Sequence, residues 1–74
     1  MKVYYDAAAD AAYLELSKEQ PDGVIELSEG VNLDTTRNNR VVGIEILKAS
    51  EKLPLASLLS YEVDSEMLKI PIAP

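Results

Sequence analysis

The chain has 74 residues, 27% of them charged, a formal net charge of −6, and neither histidine nor cysteine. That length makes one small domain, which buries only about 60–65% of the surface its unfolded chain exposes, so a second chain covering apolar surface would add stability. The missing residue types exclude disulfides, thiolate zinc sites and the Ser-His-Asp, Cys-His and HExxH chemistries.

Taken in chain order, Val3 and Tyr5 alternate with Lys2 and Tyr4 as a short period-2 strand. Ala7-Ala8-Ala9 favours one tight helical turn, since alanine loses least on becoming helical. Ala12, Leu14 and Leu16 then face one way and Ala11, Tyr13 and Glu15 the other, as in a second strand. Alanine-rich sequence is also compatible with helix here, and the strand is preferred. Gln20-Pro21-Asp22-Gly23 is a turn signal, and Val24 to Leu27 a third strand. Ser28-Glu29-Gly30 is another turn, and Val31, Leu33 and Thr35 share one face of a fourth strand.

Arg37-Asn38-Asn39-Arg40 predicts a hairpin loop, because asparagine enters the left-handed region readily. The strand after it has Val42, Ile44 and Ile46 on one face and Val41, Gly43, Glu45 and Leu47 on the other. Over 51–62, Leu55, Leu58 and Leu59 stand at helical spacing, and Pro54 suits a first helical turn. In the tail, 63–74, Leu68, Ile70 and Ile72 recur at period two, and Pro71 restricts that run to an edge strand or an association arm. The expected architecture is α+β: a small antiparallel β-sheet of about five strands built from hairpins, one short C-terminal helix and an extended tail, all one domain.

Phosphate neutralisation needs clustered cations, and the seven basic residues are scattered, with only Arg37 and Arg40 close together at one loop. Nucleic-acid binding by this chain alone is therefore not expected. An acidic surface favours a basic protein partner instead. No segment is apolar enough to span a membrane, and Met1 runs directly into strand-like sequence without a signal-peptide pattern. The expected location is the cytoplasm.

Three carboxylates carry the candidate chemistry. Asp6 follows a strand and precedes three alanines, where it can cap the turn through backbone N–H groups, and Asp10 can tie the same loop. The competing reading makes Asp6 and Asp10 an acid–base pair or ligands of a hard cation, which needs helical spacing between them. Glu45 is a lone carboxylate in an otherwise apolar strand and would need a partner if covered. Tyr5 and Tyr13 read as packing residues with a polar tip. Gly43 marks a bulge or a close backbone approach.

Counted from Asp34, an EF-hand register puts Glu45 at its last ligand position, but Thr36 and Asn39 replace the required acid and glycine. No catalytic residue, cofactor or metal is assigned. The leading function is a non-enzymatic protein-interaction module that self-associates, with a dimer favoured. The alternative is a small metal-dependent or carboxylate-based enzyme using Asp6, Asp10 and Glu45.

The stretches "YYDAAADAAYLELS" at Tyr4–Ser17 and "GVNLDTTRNNRVVGIEILKAS" at Gly30–Ser50 together resemble the small prokaryotic Domain of Unknown Function 2283 family. Its pattern is a tyrosine-aspartate pair, an Ala-Asp-Ala step, a strand, and a hairpin ending in Gly-Ile-Glu-Ile-Leu. The resemblance runs from Lys2 to about Leu53 and leaves the tail after Tyr61 outside. In place of the family's acidic hairpin turn stands Arg37-Asn38-Asn39-Arg40. The resemblance brings no established activity and no catalytic residues. It implies a small stand-alone cytoplasmic protein and, by analogy with members encoded beside small toxin-like proteins, an antitoxin-type role.

Overall fold

The computed structural model describes residues 1–62 and Asp64. Among these residues five strands form one antiparallel sheet: β1 (Lys2–Asp6), β2 (Ala11–Glu15), β3 (Gly23–Ser28), β4 (Val31–Thr35) and β5 (Val41–Leu47). A four-residue helix, α1 (Ala49–Lys52), and a 3₁₀ turn over Leu55–Leu59 follow. The tail expected as an edge strand or association arm lies, apart from Asp64, outside the described residues. Among the described residues no helix is long and apolar enough to cross a membrane.

The strands follow the period-2 pattern closely, and their order across the sheet is β1-β2-β5-β4-β3. Three of the connections join neighbouring antiparallel strands. The fourth does not. The turn signal at Gln20–Gly23 closes no hairpin, because β5 lies between β2 and β4 and puts β3 at the far edge. The chain from Leu16 to Asp22 instead rounds the ends of β5 and β4. Leu16 and Ser17 both donate their N–H to the Val42 carbonyl, and Asp22 donates to that of Thr35. A turn residue fixes local backbone geometry only, whereas strand order is set by which apolar surfaces are covered. The central place falls to β5, whose Val42 and Gly43 are buried.

The helix expected over 51–62 is split into two short pieces. Pro54 disfavours helical backbone at the residue before it. Leu53 is accordingly extended, at φ −153° and ψ 156°, and α1 stops there. Pro54 then caps the 3₁₀ turn.

Cross-strand register assigns each side chain to a face. On one face the row Val3–Leu14–Ile44–Leu33–Ile25 runs across all five strands. Beside it runs Tyr5–Ala12–Ile46–Val31–Ser28. The small core lies on this side, where Ala12 and Ala49 are buried, and Leu55, Leu58 and Leu59 of the 3₁₀ turn line a groove with Val3 and Tyr5. Among the described residues the buried apolar side chains are only Ala12, Val42 and Ala49, and none of the large ones is fully enclosed.

Candidate functional site

The opposite face is built from the alternate positions of the same strands. Its rows are Lys2–Glu15–Gly43–Asp34–Val24 and Tyr4–Tyr13–Glu45–Asn32–Glu26, with Asp6–Ala11–Leu47 beyond them. Every charged residue in the five strands lies on this face: Asp6, Glu15, Glu26, Asp34 and Glu45, with Lys2 the one cation. Lys2 stands at the β1 edge, its Nζ 5.0 Å from the centre of the Tyr4 ring. The sheet therefore has one apolar face and one acidic face.

The middle of the acidic face is ordered by Tyr13. Its ring crosses Gly43, where a Cβ would lie only 1.9 Å from the phenolic oxygen. The sequence reading of Gly43 as a close approach is met here by a side chain. The path over the glycine lets the Tyr13 hydroxyl donate to Asp34 Oδ2 at 2.7 Å. That bond, with lesser contributions from partial burial and nearby carboxylates, pushes the Tyr13 phenol up to about 12. Tyr4 packs on the other side of Tyr13, with ring centres 6.5 Å apart. Glu45, directly opposite Tyr13 in the ladder, is half-buried and accepts from Asn32 Nδ2 at 3.1 Å.

Asp6 and Asp10 do different work. Asp6 Oδ1 accepts from the N–H groups of Ala8 and Ala9 at 3.0 and 3.2 Å, so it caps the turn. Asp10 adopts φ 51° and reaches out of the turn toward α1. Its Oδ1 accepts from the Ser50 N–H at 3.0 Å and from the Tyr5 hydroxyl at 2.7 Å, and its Oδ2 from Ser50 Oγ at 2.6 Å. Its backbone carbonyl accepts from Ala49 N–H at 2.9 Å. One residue thus satisfies two of the N–H groups that a helix start leaves open. The Ser50 hydroxyl, then the Tyr5 hydroxyl, hold the Asp10 carboxyl below its usual range, and Asp10 in turn raises the Tyr5 phenol.

The three candidate acids do not converge. Asp10 engages Tyr5 and Ser50 on the side of the sheet that carries α1, whereas Asp6 and Glu45 stand on the acidic face with Ala11 and Leu47 between them in the ladder. Among the described residues no group of three Asp or Glu is placed to hold a metal ion. The Tyr13–Asp34 and Asp10–Ser50 bonds carry no motif signal, because their partners are 21 and 40 positions apart. The glycine in "VVGIEIL" was the one local hint of the first.

These features define a class: a small two-faced antiparallel sheet with short helical segments covering part of its apolar side. The family model described as "Protein of unknown function (DUF2283)" matches residues 2–50, and the chain belongs to that family. The match spans all five strands and the first two residues of α1. No curated protein and no solved structure matches the chain.

Proposed function

We propose that this protein is a non-enzymatic protein-interaction module that works as a homo-oligomer and takes a basic protein partner on its acidic sheet face. The observation that carries the reading is the segregation of all strand carboxylates onto one face, on which the strands themselves carry one cation, Lys2. Such a face attracts a cationic surface and speeds its encounter. A small basic toxin-like protein masked by this face is the specific form of the proposal, an antitoxin-type role.

The test is affinity capture of the tagged chain from its native host, run beside a variant carrying Glu15→Lys and Glu45→Gln. Glutamine retains an acceptor for Asn32, so the variant changes charge more than structure. A stoichiometric basic protein retained by the parent chain and lost from the variant supports the proposal. Recovery of the bait alone, or a partner indifferent to the variant, counts against it. An enzyme built on Asp6, Asp10 and Glu45 would instead show a thermal shift dependent on divalent ions.

A further inference from the structure

Among the described residues the far edge of the sheet is β3, and all six of its residues are exposed. Three are large and apolar: Val24 is 66% exposed, Ile25 47% and Leu27 61%. Edge strands present unpaired backbone groups, and native proteins protect them with charged side chains, lysine above all, or with proline, short length or a bulge. β3 contains neither lysine nor proline and carries one charge, Glu26, and its bulge, between Glu26 and Ser28, leaves the stretch from Gly23 to Glu26 regular. The other edge, β1, is protected differently. It begins with Lys2 and ends with Asp6, and its Val3 and Tyr5 line a groove with the 3₁₀ turn.

We infer that β3 is a self-association edge, pairing antiparallel with β3 of a second copy about a two-fold axis through Ile25. Strand length, the bulge and charge together select this axis: one at Gly23 would set Val24 and Ile25 against the partner's Asp22 and Pro21, outside its strand, and one at Leu27 would fall in the bulge. Both copies keep their apolar faces on the same side only if the axis passes through a residue, since side chains alternate faces. An axis at Glu26 would oppose the two Glu26 carboxylates, and one at Val24 would oppose Asp22 to the partner's Glu26; directly opposed like charges are destabilising. With the axis at Ile25, that residue meets the partner's Ile25, Val24 meets the partner's Glu26, and Gly23 meets the partner's Leu27. The apolar row that ends at Ile25 then continues without interruption into the second copy.

The inference deepens the self-association part of the proposed function and uses a surface separate from the acidic face, so either can fail alone. The chain has no cysteine, so one introduced thiol is a clean reporter. Opposed residues in an antiparallel pair have Cα atoms about 4.5–5.5 Å apart, within disulfide reach. In sedimentation, the full chain is expected at twice its 8.1 kDa monomer mass. Under mild oxidation, Ile25→Cys should cross-link at least about tenfold faster than Val24→Cys, whose symmetry mate is displaced along the strand beyond the roughly 7 Å limit.

A monomeric parent chain overturns the proposal. So does a dimer in which Ile25→Cys shows no such preference, the result expected if residues 63–74 or the apolar face hold the copies together. If Ile25→Cys does not fold, mixing Val24→Cys with Glu26→Cys chains reads the same register, because those thiols should cross-link between the two variants and not within either; absence of that mixed product overturns it equally.

Discussion

Ser50 donates both its N–H and its hydroxyl to the carboxylate of Asp10, at 3.0 and 2.6 Å, and so ties the start of α1 to the β1–β2 turn across 40 positions. Because the folded Asp10 carboxyl lies below its ordinary 3.8, its contribution to stability is present above that pH and is lost as pH falls through the folded value. Asp10→Asn should therefore flatten the acid limb of the stability–pH curve. Acid titration of both proteins by circular dichroism checks this; superimposable acid limbs would refute it.

Ser50→Ala removes the shorter of the two bonds and should loosen α1 before the sheet. Hydrogen exchange at the amides of Ala49 and Ser50 should accelerate more than that at β5 amides such as Ile44. Uniform acceleration would show that α1 and the sheet open as one unit.

Gly43→Ala would place a methyl group where the Tyr13 hydroxyl now lies. Tyr13 must then move away from Asp34, with an expected loss of about 1–3 kcal/mol from the broken bond and displaced ring. Folding normally holds the Tyr13 phenol up, so its contribution is fully present below the unfolded value of 10.0 and is lost as pH rises through about 12. In the variant the late phenolate transition should shift back toward 10.0. Adding Tyr13→Phe should cost little more, since both changes remove the same bond. Ultraviolet titration and urea unfolding report the two effects separately.

Asp6→Ala should cost on the scale of a lost cap, about 0.5–2 kcal/mol. The two N–H groups of Ala8 and Ala9 would lose their acceptor. An unchanged melting temperature would show that water replaces the carboxylate at no cost.

Asn39 sits at φ 63° in the β4–β5 hairpin, where its N–H donates to the Thr36 carbonyl at 3.0 Å. Asn39→Gly should be nearly neutral. Asn39→Val should destabilise by about 1–2 kcal/mol, because a β-branched side chain clashes in the left-handed region. Equal stabilities for the two variants would mean that the loop re-forms with a different turn.

The sequence alone was enough to place the strands and the β4–β5 loop. Alternation of apolar and polar residues is a local property, and Asn39 and Gly30 report left-handed backbone without reference to anything distant. It was enough, too, to assign Asp6 to its turn, since both donors lie within three positions. Tertiary structure alone decided that β5 enters between β2 and β4, so that the Gln20–Gly23 turn joins strands that do not pair. It also decided that the carboxylates of separate strands share one face. Period-2 alternation sorts side chains within a strand, but the relative phase of two strands is set by register, and register is set by pairing across the sheet. The split after Leu53 came from a local rule that competes with the helical leucine spacing: the residue before proline resists the helical region, and at Pro54 that restriction outweighed the pattern.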